Sequence, residues 1–297
     1  MSADINLPTL TGALSLFNDY LVGQKHPGTT IKAYSDDIRR WILWLPTITT
    51  IGYPSELTRE DIEEYKTYLA REQGCETTTI RRKLASMKRF TKFLVDRGFL
   101  QTDIAERVRP PKLGTREPNF LTDKEYKTLL FEAQRRGSLR DYAMLQILVQ
   151  TGIRVGELVR LKLTDIDWTI PQLVLKGRKH GVDTNLPMPR QAAESLRSYL
   201  AIRPPAPVEQ VFLSKSARPL DERGVRYIVK FYLNKAGITK KASVHTLRHT
   251  YGTHKTAKGM TLKELQYLMG HKKAETTLRY VHLLTTRLKE AQEATSL

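Results

Sequence analysis

Apolar side chains recur at helical spacing in four segments of the first hundred residues. The four apolar stripes are Leu10, Leu14, Phe17 and Leu21; Ile31, Tyr34, Ile38, Trp41 and Leu45; Ile62, Tyr65 and Leu69; and Ile80, Leu84, Met87 and Leu94. A repeat of three or four residues is typical of an amphipathic helix. The turn-forming run His26 to Thr29 separates the first two stripes, and Thr58 to Asp61 is a capping-type start for the third. The pattern predicts a bundle of four helices.

The fourth segment, residues 77–95, also carries an almost unmixed set of positive charges. Its basic residues are Arg81, Arg82, Lys83, Lys88, Arg89 and Lys92. A solvated helix face normally mixes charges of both signs, whereas a face of one sign is typical of contact with phosphate. Both interpretations stay open here. We select Arg81, Arg82, Lys88, Arg89 and Lys92 as the candidate contacts with nucleic acid.

A proline-rich stretch separates this bundle from the rest of the chain. Between Val108 and Pro118 there are three prolines, one glycine and three basic residues, without apolar periodicity. Such a composition is typical of a stiff, extended connector, although an ordinary loop is the other interpretation. We therefore predict a helical domain over residues 1–106, a linker over residues 107–118 and a second domain over residues 119–297.

The second domain opens with a capping box from Thr122 to Glu125, and helices are predicted from there to Gln150. Gly152 breaks the last of these helices and places Arg154 at the start of the next one. A guanidinium at that position lies beside the free N–H groups of a helix N-terminus, which suits a phosphate. Glu157, one turn later, is a candidate ion-pair partner for Arg154.

Two short segments of this domain have strand character. Leu173 to Lys176 and Asn185 to Met188 flank a turn-rich run from Gly177 to Gly181, which predicts a β-hairpin with Lys176 at its mouth. Val211 to Ser214 predicts a further short buried strand. Amphipathic helices are predicted over residues 191–202 and 221–236. The domain is therefore predicted to be mainly helical with a small antiparallel β-sheet.

The segment from Ser243 to Leu284 concentrates side chains that bind phosphate. His245 and Arg248 are three residues apart, so a helix presents them on the same face. A histidine and a guanidinium can then converge on one anion. Either residue alone is an ordinary surface residue, and only the cluster indicates a site.

Two more candidates follow in the same segment. An amphipathic run that begins at Thr261 stops at Gly270, as helices commonly do, and delivers His271 from the helix end. Tyr280 falls on a further short helical segment, away from the apolar side chains of that segment. A tyrosine in this position can point into a cleft.

Composition limits the class of protein. The 297 residues suffice for two domains, and 49 Lys and Arg against 31 Asp and Glu give a net charge of +18, which favours a polyanionic partner such as nucleic acid. The single cysteine, Cys75, excludes an internal disulfide and a cysteine-cluster metal site. The chain has no apolar run of bilayer length and no signal-peptide pattern at its N-terminus. We expect a soluble, cytoplasmic protein without a membrane partner.

Four ordered motifs in this chain resemble those of the tyrosine recombinase, or phage integrase, family, and especially its Xer-like bacterial branch. The motifs are Thr151-Gly-Ile-Arg154-Val-Gly-Glu157-Leu, His245-Thr-Leu-Arg248-His249, Leu268-Met-Gly-His271 and Thr276-Thr-Leu-Arg-Tyr280-Val-His. The resemblance covers essentially the whole chain. It implies a four-helix, SAM-like core-binding domain that clamps one side of a DNA duplex, followed by a catalytic domain.

The resemblance also implies an activity, namely cutting and rejoining DNA strands through a 3′-phosphotyrosyl intermediate. Tyr280 is then the nucleophile, while Arg154, Arg248 and His271 neutralise charge on the phosphate in the role that a metal plays elsewhere. His245 would assist proton movement near the tyrosine. No metal or cofactor is expected.

The family places a catalytic lysine on its β-hairpin, commonly in a Lys-Gly-x-Lys pattern. The residues Lys176-Gly-Arg-Lys179 reproduce this pattern. We assign the general acid to Lys176 and keep Lys179 as the competitor, because the hairpin lacks the arginine and valine that usually precede its proline in Xer-like sequences.

The expected partner is double-stranded DNA with a specific core site, bound by a homo-tetramer or by a hetero-tetramer with a related recombinase, with an accessory protein as a further option. Residues 283–297 predict a terminal helix that packs either on its own domain or on a neighbouring subunit, as in related recombinases. Because the first bundle begins by Leu10, without the extra N-terminal domain of arm-site phage integrases, we favour resolution of chromosome, plasmid or transposon-derived dimers. A phage or mobile-element integrase is the alternative. A type IB topoisomerase and a non-catalytic DNA-binding regulator are more remote alternatives.

Overall fold

The computed structural model describes residues 8–48, 51–114, 119–179, 182–270 and Thr277. The chain divides into two compact units, Met1–Arg116 and Glu117–Leu297. Each unit has its own hydrophobic core, and each is described by itself.

The first unit contains the four helices that the apolar stripes predict. They are α1 (Leu10–Gly23), α2 (Gly28–Trp44), α3 (Arg59–Arg71) and α4 (Thr77–Asp96). Thr58 caps α3, because its hydroxyl accepts the N–H of Asp61 at 3.3 Å while the Asp61 carboxylate accepts the N–H of Thr58 at 2.7 Å. The four-helix prediction is confirmed. Single turns of 3₁₀-helix at Leu45–Thr47 and Pro54–Glu56 lie between α2 and α3.

Aromatic rings fill the centre of the first unit. Phe17 from α1, Trp41 from α2 and Phe90 from α4 are completely buried. The rings of Phe17 and Phe90 meet edge to face, with centroids 5.3 Å apart. The same stripes that predict the helices therefore build the core, because each helix turns its apolar side inward.

The start of the predicted linker is attached to the first unit. Val108 is buried among the side chains of the first core. Arg81 on α4 donates a hydrogen bond of 2.8 Å to the carbonyl of Pro111. Residues 101–114 contain no helix or strand, so this segment is a loop that packs on the bundle.

The second unit is built from seven helices within the described residues. They are α5 (Asp123–Arg135), α6 (Leu139–Thr151), α7 (Val155–Arg160), α8 (Arg190–Ala201), α9 (Glu222–Lys235), α10 (Val244–Ala257) and α11 (Leu262–Met269). Helix α6 is apolar on nearly every side and is buried between α8 and α10. The capping box at Thr122 and Glu125 begins α5 as predicted.

A small antiparallel sheet completes the second unit, as predicted. Its strands are β1 (Ile166–Asp167), β2 (Gln172–Lys179) and β3 (Val182–Pro187), in the order β1-β2-β3. Leu173 pairs with Leu186, and both side chains enter the core. This sheet carries the lysine-rich hairpin.

The predicted limits of the hairpin were wrong. We expected a turn over residues 177–181, but β2 continues to Lys179, which pairs with Val182. A bulge between Leu175 and Lys179 absorbs the irregular residues, with Gly177 in a left-handed conformation at φ 62°. Glycine and lysine signal a turn in sequence, whereas here the pairing with β3 extends the strand.

Two other strand predictions also need correction. Residues 211–213 are deeply buried, but residues 211–214 form no strand, because their pairing is limited to an isolated bridge between Leu213 and Pro219. The two-residue strand β1 was not predicted at all. Short apolar runs carry no information about whether a neighbouring strand is in reach.

Candidate active site

Gly152 sets the direction of the chain between α6 and Arg154. Helix α6 ends at Thr151, and Gly152 adopts a left-handed conformation at φ 62°. A Cβ atom at Gly152 would lie 2.5 Å from the ring of Tyr251 on α10, so only glycine fits here. The chain then turns, and Arg154 becomes the N-cap residue of α7, as predicted.

Two contacts hold the Arg154 guanidinium. Its Nη1 forms an ion pair with Oε1 of Glu157 at 2.9 Å, while Oε2 of Glu157 accepts the backbone N–H of Arg154 at 2.9 Å. Its Nη2 donates to the carbonyl of Gly270 at 2.7 Å. The proposed pairing of Glu157 with Arg154 is therefore observed. One side of the guanidinium faces α7, and the other side faces the end of α11.

Arg248 lies in the interior of the second unit. It is on α10, and only 7% of its surface is exposed. Its Nη1 donates to the carbonyl of Gly152, and its Nη2 donates to the carbonyl of Met269. A buried guanidinium needs such acceptors, because unpaired burial of a charge is costly.

The two arginines therefore meet at one point. Arg154 binds the carbonyl of Gly270 and Arg248 binds the carbonyl of Met269, which are consecutive residues at the end of α11. The last carbonyls of a helix lack partners within the helix, so they are available to these guanidiniums. Two residues far apart in sequence are thus brought together on the same side of the second unit.

Packing between α10 and α11 holds this meeting point in place. Tyr251, Leu265 and Met269 form a small buried cluster between the two helices. Gly270 ends α11 in a left-handed conformation at φ 60°, as predicted from its position. The ring of Tyr251 also contacts Gly152, so three chain segments converge beside the arginines.

His245 lies in the first turn of α10, one turn before Arg248. Its side chain reaches the surface, yet the surrounding protein removes enough water to lower its pKa below the usual 6.5. The positive charges of Arg248, Arg226 and Arg154 lower the pKa further, and Glu222 opposes them. The imidazole is therefore mainly neutral at pH 7.

The charge pair Glu222 and Arg226 was not recognised as part of this region from the sequence. Both residues are on α9 and form an ion pair. A Cβ atom at Gly156 of α7 would lie 2.8 Å from Oε1 of Glu222, so the absence of a side chain there lets α9 approach the arginine site. The only signal in the sequence was the cluster of basic residues on α9.

Lys176 does not contact either arginine in the described structure. Its Nζ lies 3.0 Å from Oδ1 of Asp165, a buried carboxylate, at an angle that makes the contact an ion pair without a hydrogen bond. The other oxygen of Asp165 accepts the backbone N–H of Lys162 at 3.0 Å. Lys176 and Glu157 both line a cavity of about 590 Å³, so the lysine faces the same space as the partner of Arg154.

The remaining predicted site residues are described only in part. His271 and Tyr280 lie outside the described residues, and of Lys179 only the backbone is described. Gly270, whose carbonyl accepts from Arg154, directly precedes His271 in the chain. The described site thus contains Arg154, Arg248 and His245, with Lys176 on the adjoining cavity.

The basic residues of α4 differ in their surroundings. Arg82 forms an ion pair with buried Asp37, Lys88 donates to the carbonyl of Glu106 at 3.3 Å, and the Arg89 guanidinium lies 6.0 Å from the ring centre of Tyr20. Lys92 is exposed. Arg81 contacts Pro111, as described above. These residues still share one side of α4, but four of them, all except Lys92, also contact other parts of the first unit.

The structure corrects the prediction that Lys83 belongs to the exposed basic face of α4. We counted it with the other cations of this segment, but only 5% of its surface is exposed. Its side chain points toward α3, with Nζ 5.9 Å from the ring centre of Tyr65. Unlike exposed Lys92, it does not extend its charged end into solvent.

The described part of the chain shows neither a metal-ligand cluster nor a membrane-spanning helix. Within the described ranges, no three His, Cys, Asp or Glu side chains are grouped as metal ligands. No helix among these residues is both long enough and apolar enough to cross a membrane.

Both units match known protein families. Residues 119–287 match the phage integrase family, and residues 14–99 match the phage integrase N-terminal SAM-like domain. The chain is 33% identical over 270 residues to the tyrosine recombinase XerD of Halalkalibacterium halodurans, with 88% of this chain and 89% of the relative covered. It is 32% identical over 285 residues to XerD of Listeria innocua, with 92% and 95% covered.

Solved structures show the same fold. The XerA recombinase matches with a TM-score of 0.55 and 28% identity over 97% of this chain and 99% of that chain. A lambda integrase dimer bound to a COC′ core site matches with a TM-score of 0.75 and 19% identity, covering 91% and 97%. The Tn1549 transposon integrase in complex with transposon right end DNA matches with a TM-score of 0.78 and 17% identity, covering 95% and 100%.

Proposed function

The chain belongs to the phage integrase family, and we propose that it is a site-specific tyrosine recombinase of the Xer type. It cuts and rejoins DNA strands through a covalent 3′-phosphotyrosyl intermediate. The sequence relatives named as Xer recombinases cover most of this chain, which supports the whole-chain function. The biological role we propose is resolution of chromosome, plasmid or transposon-derived dimers.

One observation carries the proposal, the convergence of Arg154 and Arg248 on the neighbouring carbonyls of Gly270 and Met269. A carbonyl oxygen carries partial negative charge, so a place that accommodates two guanidiniums against such oxygens also suits the oxygens of a phosphodiester. Arginine presents a planar fork of donors that matches phosphate geometry. The described residues therefore support a site for one phosphate between α7, α10 and α11.

The proposed reaction conserves the free energy of the phosphodiester bond, because the protein nucleophile holds the phosphate in a covalent bond. The hydroxyl oxygen of Tyr280 attacks the phosphorus, a Tyr280–phosphate bond forms, and the bond from phosphorus to the 5′ oxygen breaks. The tyrosine proton leaves toward His245 or solvent, and the 5′ oxygen takes up a proton. Attack by the 5′ hydroxyl of a partner strand then reverses the sequence and joins the new strands.

Charge on the phosphate rises in the pentavalent transition state. Arg154, Arg248 and His271 are proposed to donate hydrogen bonds to its oxygens, so that the positive groups act where the negative charge develops. The depressed pKa of His245 keeps its imidazole mainly neutral at pH 7, which leaves a ring nitrogen able to accept a proton. His245 is therefore suited to proton transfer next to the nucleophile.

Lys176 is proposed as the acid that protonates the leaving 5′ oxygen, with Lys179 as the competitor. In the structure the Lys176 ammonium forms an ion pair with Asp165. Its side chain is 64% exposed, so it can leave Asp165 for a bound DNA strand. Lys179 is the last residue of β2, three positions after Lys176.

We expect Lys176→Ala to slow DNA cleavage by roughly 10²- to 10⁴-fold, the usual contribution of a general acid. The matched control is Lys179→Ala, which should change the rate much less. The measurement is single-turnover cleavage of a DNA substrate that carries the core site.

A second substrate makes this assignment specific. A sulphur atom in place of the 5′ bridging oxygen leaves readily without protonation, because thiols are far more acidic than alcohols. Lys176→Ala should therefore regain nearly wild-type cleavage on the sulphur substrate. If Lys179→Ala has the defect and the recovery instead, Lys179 is the acid and the assignment of Lys176 is wrong.

The proposed partner is double-stranded DNA with a specific core site, bound by a tetramer of this chain or by a mixed tetramer with a related recombinase. Similar solved structures include a lambda integrase dimer on a core site and a lambda integrase tetramer bound to a Holliday junction. The α4 cations that we propose to contact DNA phosphates are Arg81, Arg82, Lys88, Arg89 and Lys92; Arg82 and Lys92 are exposed, and the other three are half-buried. Residues 283–297 would join the subunits if they pack in trans.

Strand exchange tests the function directly. The DNA sequence that the purified protein protects from nuclease is first determined, and two copies are then placed on one supercoiled plasmid. We expect recombinant circles from this plasmid and none from a plasmid in which one copy is scrambled. Relaxation of both plasmids without recombinants would instead indicate a topoisomerase, and protection without any strand breakage would indicate a regulator.

A further inference from the structure

The first unit has a cavity that the recombination chemistry does not use. It lies between α2, α3 and α4 and has a volume of about 430 Å³. This volume is within the range of sites that hold small molecules. Its lining combines the rings of Trp44, Tyr65 and Tyr68 with the cations Arg40 and Lys83.

The three rings form a continuous aromatic wall. The ring centroids of Trp44 and Tyr65 are 5.0 Å apart, those of Trp44 and Tyr68 are 5.4 Å apart, and those of Tyr65 and Tyr68 are 5.9 Å apart. Tyr65 is buried, while Trp44 and Tyr68 are partly open to solvent. A planar ring can stack on such a wall, and stacking of a nucleobase on aromatic side chains tolerates any base.

Lys83 is a buried cation for which the described residues provide no hydrogen-bonded counter-ion. A lysine normally extends its charged end into water, but only 5% of Lys83 is exposed. Among the described residues its ammonium has no hydrogen bond and no ion pair, and its recorded contact is with the ring of Tyr65 at 5.9 Å. Burial lowers the pKa of Lys83, and the charges of Arg40 and Arg82 lower it further against the effect of Asp37.

The neighbouring carboxylate does not supply the missing counter-ion. Asp37 is buried and accepts hydrogen bonds from Arg82 and from the hydroxyl of Ser86 at 2.8 Å. The guanidinium of Arg40, which also lines the cavity, has no hydrogen bond or ion pair within the described part of the chain. The cavity therefore presents two cations, buried Lys83 and exposed Arg40, that have no hydrogen-bonded counter-ion among the described residues and lie beside an aromatic wall.

We propose that this cavity binds a nucleotide, with the base stacked against Trp44 and Tyr68 and the phosphate between Arg40 and Lys83. The phosphate would provide the charge that Lys83 lacks, and charge-assisted hydrogen bonds of this kind are strong. The nucleotide has two sources, a free nucleoside monophosphate or an unpaired nucleotide of a DNA strand. The site lies wholly in the first unit and does not depend on the roles of Arg154, Arg248 or Tyr280.

Calorimetric titration of the full chain tests the proposal. The probes are deoxyadenosine monophosphate, deoxyadenosine and inorganic phosphate. We expect saturable binding of the monophosphate that is at least about tenfold tighter than that of either part, because ring and charge are both needed. Weak binding of all three probes, or equal binding of inorganic phosphate and the monophosphate, would overturn the proposal.

A variant connects the binding to the buried cation. Lys83→Met keeps the length of the side chain and removes the charge, so affinity for the monophosphate should fall roughly tenfold or more. Its melting temperature should stay the same or rise, because an unpaired buried charge is removed. The control, Lys32→Met, replaces an exposed lysine of α2 and should leave the affinity unchanged. Equal affinity in Lys83→Met and wild type would contradict the proposal.

A pair of DNA probes separates the two sources of the nucleotide. A blunt duplex and the same duplex with one unpaired 5′-phosphorylated nucleotide are titrated into wild type and Lys83→Met. If the unpaired nucleotide adds affinity in wild type only, the site takes nucleotides from DNA strands. If it adds none while the free monophosphate binds in a Lys83-dependent way, the site takes free nucleotides.

Discussion

Tyr280→Phe should abolish the covalent complex between this protein and DNA. Phenylalanine keeps the ring but has no oxygen to attack phosphorus, so no phosphotyrosyl bond can form. The measurement uses a nicked core-site substrate, in which the cleaved fragment diffuses away and traps wild type as a complex that survives denaturing electrophoresis. We expect a complete loss of this band, the largest effect of any substitution considered.

Two controls give this result its meaning. Tyr267→Phe alters a tyrosine of α11 that is 56% exposed, and it should trap as much complex as wild type. Core-site binding by Tyr280→Phe, measured by gel shift, should remain near the wild-type level. A normal covalent band in Tyr280→Phe would show that another residue is the nucleophile.

Arg248→Lys is expected to have the second largest effect, a fall of roughly 10²- to 10³-fold in the rate of cleavage. Lysine preserves the charge but not the planar fork of donors. In the structure two separate nitrogens of that fork reach the carbonyls of Gly152 and Met269 from a buried position, and the single nitrogen of a lysine lacks this fixed spacing of donors. Single-turnover cleavage at saturating protein measures the effect without the influence of weaker binding.

The same substitution also affects stability, so folding has to be measured in parallel. A buried carbonyl that loses its partner costs about 1–3 kcal/mol, which lowers the melting temperature of the second unit. Cleavage should therefore be compared at a temperature where Arg248→Lys is fully folded. Arg190→Lys, at a guanidinium that is 91% exposed, is the matched control and should cleave normally. A rate for folded Arg248→Lys within tenfold of wild type would contradict the proposed role.

Local signals predicted most of the helices and their ends. The apolar stripes predicted α1 to α4, and the capping boxes at Thr58 and Thr122 marked the starts of α3 and α5. Gly152 and Gly270 marked the ends of α6 and α11, where the chain enters a left-handed conformation that glycine adopts without strain. These features depend on neighbours within one or two turns, so the sequence contains them directly.

The errors occurred where a residue's environment depends on distant parts of the chain. Residues 177–179, which we expected in a turn, belong to strand β2, because β3 lies beside β2 and pairs with it. Residues 211–213 are buried without forming a strand, because within the described structure this segment has only one isolated bridge, from Leu213 to Pro219. Lys83 was counted with a solvated basic face, but packing of α3 against α4 encloses it.

The sequence by itself determined the types of chemical group, their order along the chain and the local turns that present them, including Arg154 after Gly152 and Arg248 one turn after His245. Only the tertiary structure decided that the guanidiniums of Arg154 and Arg248 meet at the end of α11, that Asp165 holds Lys176, and that Lys83 is enclosed beside three aromatic rings. The physical reason is the separation along the chain of the residues that interact. Helix periodicity and capping arise from hydrogen bonds and packing between near neighbours, whereas the meeting of charges from distant segments depends on how whole helices pack around a shared core.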